Sequence, residues 1–165
     1  GPSKRIEALK DSRVGAIGVQ SLVIILVLQI AAIIKLGFYA PFAFPIAAFW
    51  GRFSPIFAIG NYEYILNKEF GSIHQKYWRG ISQELRPSLI IICIGIIFFL
   101  STTYLNLSNT LLLIYCISSG LTTSILIPHF INKFLGGHNG DSYGAGLVIT
   151  ETTNLLLLSI ILVPN

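Results

Sequence analysis

The sequence has few charged residues, no methionine and only two cysteines. Charged residues make up 11% of its 165 residues, against about 25% in an average soluble domain. Hydrophobic residues reach 53%, and the mean hydropathy is +0.73. The shortage of charge excludes an ordinary soluble domain and indicates an integral membrane protein.

The two cysteines and the absence of methionine lead to two further expectations. Cys93 and Cys116 both lie in apolar runs without CxxC spacing, which favours buried packing thiols over a disulfide or a metal site. The chain contains no methionine and begins at Gly1. We therefore expect a single membrane domain over residues 1–165 that forms the C-terminal part of a longer protein.

Five apolar runs predict an all-α fold, a polytopic bundle with about five membrane segments. The runs are residues 14–34, 38–59, 87–104, 110–130 and 147–163. The polar stretch between the second and third runs, residues 61–86, mixes charged and aromatic side chains and predicts a membrane-surface loop or an interfacial helix.

The second run departs from a simple spanning helix. It contains Pro41, Pro45 and Pro55, and proline removes a backbone hydrogen bond, which predicts a kinked or re-entrant segment. It also contains Arg52. An ionisable group is costly inside a bilayer, so Arg52 is expected to face a cavity or a partner.

The distribution of basic residues predicts the orientation. Lys and Arg number four in residues 3–13, four in residues 61–86 and one, Lys133, in the loop before the last run, whereas Lys35 is alone on the opposite side. By the positive-inside rule the first three segments are cytoplasmic. Because topology accounts for these charges, the net charge of +4 does not indicate a nucleic-acid partner.

Residues 136–145 form a polar, glycine-rich stretch between two apolar runs. Gly136, Gly137 and Gly140 permit positive φ and close backbone approach to a ligand. His138 could act as a general base, contact a substrate or be only a polar loop residue, and Asp141 is the only aspartate after Asp11. The stretch is either a functional loop or a plain connector between two membrane helices.

Two sequence blocks resemble the cobalamin synthases, membrane enzymes also called adenosylcobinamide-GDP ribazoletransferases. Residues 5–19, RIEALKDSRVGAIGV, are similar to the family's E-x-M-K-D-S-R-x-G-x-x-G-V block. Residues 136–145, GGHNGDSYGA, followed by Glu151, are similar to its G-G-x-T-G-D-x-x-G-A…E ending. Gly51 and Arg52 with Pro55 match a G-R-x-x-P element. Leu9 and Asn139 depart from the usual Met and Thr.

The resemblance implies a membrane enzyme of the bacterial cytoplasmic membrane that acts in cobalamin biosynthesis. It would transfer the phosphocobinamide group of adenosylcobinamide-GDP to α-ribazole or its 5′-phosphate and release GMP. The implied partners are these two substrates and the lipid bilayer, and a homo-oligomer stays open. The family's Asp-rich motif, which precedes the first block, is absent from this sequence, which again favours a C-terminal fragment.

The same resemblance suggests roles for particular residues. Phosphoryl transfer calls for a divalent metal, expected to be Mg²⁺, held by carboxylates. The metal-ligand candidates are Asp141 and Asp11. Phosphate contacts are expected from Lys10, Arg13 and Arg52, backbone approach from the three glycines, and a catalytic role is open for His138.

Glu151 is expected to play a different role from Asp141. In a continuous helix, Glu151 would lie about 15 Å along the axis from Asp141, which favours a buried hydrogen-bonding role over a shared metal site.

Two other classes of function stay open. A different nucleotide-alcohol phosphotransferase would use the same arrangement of carboxylates and metal, but it needs an Asp-Gly-Ala-Arg type motif that these residues do not show. A non-enzymatic membrane transporter would also explain the second run and Arg52, and it would need no metal.

Overall fold

The computed structural model of the chain describes residues 15–65, 77–102 and 107–163. Over these residues it contains the α-helices α1 (Ala16–Leu36), α2 (Ala40–Asn61), α3 (Ile81–Thr102), α4 (Leu107–Leu135) and α5 (Gly140–Leu162), and a 3₁₀ turn at Gly37–Tyr39 between the first two. In this part of the chain the only β-type pairing is an isolated bridge between Tyr64 and His138. The prediction of an all-α fold is confirmed.

The helices are apolar enough for a membrane, but the predicted number of crossings is not confirmed. Three helical stretches of the described residues are long and apolar enough to span: Ala16–Asn61, which takes in α1 and α2, Thr110–Leu135 and Gly140–Leu162. Large apolar side chains of α1, such as Ile17 and Ile34, are exposed. In a membrane protein such a surface faces lipid, where exposure carries no hydrophobic cost.

Helix α2 is continuous across its prolines. Pro41 lies in its first turn, where a missing N–H costs nothing, and Pro45 and Pro55 lie inside the helix. Its 22 residues extend for about 33 Å, enough to cross the hydrocarbon layer. The re-entrant alternative for this run is therefore wrong.

Helices α1 and α2 form an antiparallel hairpin. The Gln29 side chain of α1 donates a hydrogen bond of 2.9 Å to Thr152 in α5, and Gly51 of α2 packs against the neighbouring residue, Glu151. Gln29 and Gly51 are thus at one level of α5, although 22 residues of continuous helix would separate them by about 33 Å. The chain must therefore reverse between them, at the 3₁₀ turn.

Helices α2 and α5 pack closely, and small residues let them do so. A Cβ atom placed on Gly51 would lie 3.0 Å from the Glu151 Cβ and 3.2 Å from the Leu147 carbonyl oxygen. One placed on Gly146 would lie 3.4 Å from the Ser54 hydroxyl. The residues in contact therefore increase in number along α2, from 51 to 54, while they decrease along α5, from 151 to 146. The two helices are antiparallel. Small residues at such contacts are how membrane helices gain packing area.

Helix α5 lies with α2 at the centre of the bundle; it packs against α1, α2 and α4, and nine of its residues are buried. Beyond its first turn, the buried face of α5 carries both apolar and polar side chains. Leu155 and Leu158 join a core cluster with Ala32, Leu36, Ala43, Ala47 and Cys116. The Asn154 amide donates to Thr123 of α4 at 2.8 Å. Together with the Gln29 bond to Thr152, this hydrogen bond fixes the rotation of α5 against its neighbours.

The end of the bundle at which α2 finishes and α5 begins also receives α3. A Cβ on Gly60, near the end of α2, would lie 2.8 Å from the Ile81 side chain and 3.2 Å from the Trp78 ring. Helix α3 therefore begins beside the last turn of α2. We call this the loop end of the bundle.

The packing at Gly120 yields a stability test. A Cβ on Gly120 in α4 would overlap the indole ring of Trp50 in α2. Gly120→Ala should therefore destabilise the folded protein by about 1–3 kcal/mol, because the ring must move within a packed contact. The measurement is the apparent melting temperature of the detergent-solubilised chain.

The matched control is Gly144→Ala in α5, where an added Cβ meets no atom within 4 Å. This variant should melt at or slightly above the wild-type temperature, because alanine favours helix. Equal melting temperatures for the two variants would contradict the close contact of α2 and α4.

Candidate functional site

The glycine-rich stretch is only partly a loop. Helix α4 ends at Leu135 and α5 begins at Gly140, so four residues connect them, and the second half of the predicted loop is the first turn and a half of α5. Asn139 explains the early start. Its side chain accepts from the Ser142 amide at 2.8 Å, and the Ser142 hydroxyl accepts from the Asn139 amide at 2.8 Å. This reciprocal capping box begins the helix.

Two of the three glycines have the backbone conformation for which glycine was expected. Gly136 has φ of +80° and Gly137 has φ of +151°. A Cβ on Gly137 would lie 2.8 Å from the Glu63 carbonyl oxygen, so this close approach is made by the chain itself. Gly140 has open space around it. A ligand contact at any of the three stays a prediction.

A short extended segment after α2 holds the connector. The His138 amide donates to the Glu63 carbonyl at 2.8 Å, and the Ile65 amide donates to the His138 carbonyl at 2.9 Å. These two bonds form the bridge around Tyr64. They tie the end of α2 to the residue that precedes the cap of α5.

The imidazole of His138 is fully enclosed, with 1% of the residue exposed. Its Nε2 lies 3.0 Å from the Pro128 carbonyl oxygen in α4, and its Nδ1 lies 3.1 Å from the Ser142 hydroxyl. Its ring stacks on Tyr62 and on Tyr143, with centroid distances of 5.4 Å in both pairs. Both ring nitrogens therefore have protein partners, and the side chain positions the connector between α4 and α5.

The Pro128 carbonyl places a proton on one nitrogen of His138. A carbonyl oxygen only accepts, so Nε2 carries the proton that it donates to Pro128. The Ser142 hydroxyl, the partner of Nδ1, also donates to the Asn139 carbonyl at 2.9 Å. Burial lowers the pKa of His138 below its ordinary value of 6.5, and the hydrogen bond to the Pro128 carbonyl raises it in part. Burial therefore disfavours the protonated ring. General-base catalysis by His138 stays a prediction.

Asp141 lies in the first turn of α5 and is exposed at the loop end. The unpaired amides of a helix start carry partial positive charge, which suits a carboxylate and any anion nearby. In the described ranges no group of three His, Cys, Asp or Glu side chains could hold a metal ion. A metal at Asp141 would therefore draw its other ligands from the rest of the protein, from substrate or from water.

The other predicted site residues are not gathered around Asp141 in the described structure. Lys10, Asp11 and Arg13 lie outside the described residues. Arg52 is exposed on α2, and its Nη1 donates to the Ala48 carbonyl at 3.0 Å.

Glu151 is half-buried against Gly51, at the level of Arg52. It lies ten residues beyond Asp141 in one continuous helix, about 15 Å along its axis. That separation agrees with the expected exclusion of Glu151 from a metal site at Asp141.

The sequence did not point to the residues that hold the connector. They are Tyr62, the segment 63–65 and Tyr143, together with the Pro128 carbonyl. The one local signal was the strand propensity of Tyr62, Tyr64 and Ile65, three aromatic or β-branched residues inside a polar stretch.

The buried histidine predicts a pH-dependent stability. Because the folded state lowers the pKa of His138, the unfolded chain takes up a proton more readily as the pH falls below about 6.5. Stability from the neutral ring is therefore complete above that pH and decreases below it. The melting temperature should fall between pH 7.5 and 5.5, and His138→Gln should reduce this dependence. His129→Gln, which removes an exposed imidazole, should not; a loss of the slope in that variant instead would contradict the assignment.

Comparison with known proteins identifies the family. The sequence model of the cobalamin-5-phosphate synthases matches residues 1–159. A protein of Prochlorococcus marinus strain SARG named adenosylcobinamide-GDP ribazoletransferase is 49% identical over 164 residues, covering 98% of this chain and 62% of that protein. Proteins with the same name in Prochlorococcus marinus strain MIT 9313 and in Trichormus variabilis are 38% and 29% identical, with 98% and 97% of this chain and 63% and 62% of theirs covered.

No solved structure matches the chain. The chain spans about three fifths of the length of these curated relatives. The family match extends over both sequence blocks and over all helices but the last few residues of α5. This chain therefore belongs to the cobalamin-5-phosphate synthase family.

Proposed function

We propose that the protein to which this chain belongs transfers the phosphocobinamide group of adenosylcobinamide-GDP to α-ribazole or its 5′-phosphate. A ribazole hydroxyl attacks the phosphorus next to cobinamide, the bond from that phosphorus to the bridging oxygen breaks, and GMP leaves. The hydroxyl proton goes to a base or to water. Membership of the family and the names of the relatives support this reaction.

The observation that carries the proposal is the position of Asp141. An exposed carboxylate stands in the first turn of α5, and the buried ring of His138, three residues earlier, fixes that turn to α4 and to the end of α2. Preorganised geometry of this kind is what phosphoryl transfer needs, because most of its catalysis is positioning and charge stabilisation.

Asp141 fits a magnesium site as one ligand of several. Its carboxylate supplies the oxygen donor that Mg²⁺ prefers, and Mg²⁺ commonly keeps waters and substrate phosphates as its remaining ligands. A bound Mg²⁺ would stabilise negative charge on the phosphoryl oxygens. In this proposal Asp141 and Asp11 hold the metal and Lys10 and Arg13 contact phosphate, while Arg52, which lies at the level of Glu151, contacts a phosphate group of the substrate that is farther from the metal.

Gly136, Gly137 and Gly140 take different parts in the proposed site. The positive φ values of Gly136 and Gly137 shape the connector, and the latter packs on the extended segment after α2. Gly140 has no neighbour within 4 Å of an added Cβ. Its open backbone at the start of α5 is therefore the part of the glycine-rich stretch best suited to approach a phosphate.

We further propose that the loop end faces the cytoplasm of a bacterial cell whose cytoplasmic membrane holds the bundle. The basic residues Arg79, Arg86 and Lys133 all belong to this end by chain position, and cytoplasmic loops are enriched in such residues. Soluble anionic substrates would then reach Asp141 from the cytoplasm.

The test uses the complete open reading frame in membrane vesicles with adenosylcobinamide-GDP, α-ribazole and Mg²⁺. GMP and the corrinoid product are followed by chromatography. The wild-type protein should form both products only with a divalent metal. Asp141→Asn should lower the rate at least about 10–100-fold, the loss that even outer-shell partners of a metal ligand produce, and should raise the Mg²⁺ concentration needed for half activation.

Glu151→Gln is the comparison variant, because it removes a carboxylate from the same helix about 15 Å away. Its half-activating Mg²⁺ concentration should equal that of wild type. Binding without turnover by well-inserted wild-type protein would exclude the transferase and favour a transporter. Turnover that is unchanged in Asp141→Asn would keep the reaction and exclude the site.

A further inference from the structure

A second polar site lies at the loop end, apart from the connector before α5. It is an open cavity of about 610 Å³ at the surface, lined by the exposed residues Arg79, Gln83, Glu84, Arg86 and Pro87. The side chains at 83, 86 and 87 share one face of α3 by their spacing of three and four residues, and Arg79 lies in the segment before the helix. The first two turns of α3 and the residues before them thus present two guanidinium groups, an amide and a carboxylate to one space.

The position of this cavity is that of a membrane-surface site. Tyr77 and Trp78 stand just before α3, and Tyr77 is 69% exposed. Aromatic residues of this kind collect at the membrane–water boundary. One turn beyond Arg86, Leu89 and Ile90 are exposed and apolar. A ligand in the cavity therefore has water on one side and a lipid-facing helix surface on the other.

The chemistry of the lining indicates the ligand class. Guanidinium groups bind phosphate oxygens through paired hydrogen bonds. Two arginines and one glutamate leave one net positive charge, which balances a singly charged phosphodiester better than a nucleoside diphosphate. Gln83 and Glu84 supply acceptors for hydroxyl groups.

We propose that this cavity binds the headgroup of an anionic phospholipid whose phosphodiester carries a hydroxylated alcohol, as in phosphatidylglycerol. Arg79 and Arg86 hold the phosphate, Gln83 and Glu84 accept from the headgroup hydroxyls, and the acyl chains run along Leu89 and Ile90. The lipid then links the start of α3 to the bilayer beside the last turn of α2, which Trp78 and Ile81 contact at Gly60.

The test measures the melting temperature of the detergent-solubilised protein, expressed from the complete open reading frame, against the concentration of short-chain phosphatidylglycerol, with phosphatidylcholine of the same acyl chains as the neutral probe. Phosphatidylglycerol should raise the melting temperature of wild type, and phosphatidylcholine should not. Arg79→Gln and Arg86→Gln should each raise the apparent dissociation constant about tenfold, the effect of losing one charged hydrogen bond. High salt should weaken binding as well.

Lys133→Gln is the charge-matched control, because it removes an exposed cation from the last turn of α4, which ends at the same side of the bundle. It should keep the wild-type response. If the glutamine variants fail to fold, Arg79→Lys and Arg86→Lys replace them. Lysine keeps the charge but loses the paired geometry, so these variants should bind phosphatidylglycerol more weakly than wild type but still above phosphatidylcholine.

Three results would overturn the proposal. Equal stabilisation by the two lipids would show that the cavity does not select an anionic headgroup. Loss of the response in Lys133→Gln would show that only overall charge matters. Stabilisation by GDP or inorganic phosphate that depends on Arg79 and Arg86, without a response to phosphatidylglycerol, would assign the cavity to a soluble phosphate ligand instead.

Discussion

The buried imidazole of His138 joins three parts of the chain. It bonds to the Pro128 carbonyl of α4 and to Ser142 in the first turn of α5, and it stacks on Tyr62 after α2. The same residue forms the backbone bridge to the segment after α2. The orientation of Asp141 depends on these contacts, because Ser142 also completes the capping box that begins α5. A polar ring that is enclosed and fully bonded gives a short, glycine-rich connector one defined geometry.

Below this connector the bundle is held by close packing and a few hydrogen bonds. Lipid offers little hydrophobic gain for helix association, so contact area and polar pairs decide which faces meet. Gly51 brings α2 onto Glu151, Gly120 accommodates Trp50, and Gln29 and Asn154 bond across helices. The most polar stretch of α5, residues 150–154, is therefore also the one that Gln29 of α1, Gly51 of α2 and Thr123 of α4 contact.

Hydropathy was sufficient to predict the helices. A backbone segment inside a membrane has no water to bond to, and a helix pairs its N–H and C=O groups internally. It also predicted where the polar connector lies. It did not predict that α5 begins at Gly140. The helix begins there because Asn139 and Ser142 form the two hydrogen bonds of a capping box, and average hydropathy does not detect such local hydrogen bonds. The clamp on His138 was hidden for another reason. Its partners at 62–65 are distant in sequence, and only the antiparallel packing of α2 and α5 brings them together.

The central place of α5 has a consequence for how the bundle is made. Chains emerge from the ribosome in order, and the earlier helices insert before the later ones. The hairpin of α1 and α2 can form early, because its two helices adjoin in sequence. The hydrogen bonds that join Gln29 to Thr152 and Asn154 to Thr123, however, can form only when α5 packs on α1 and α4. These cross-helix bonds and the Asp141 turn, which begins α5, are therefore completed together, late in assembly.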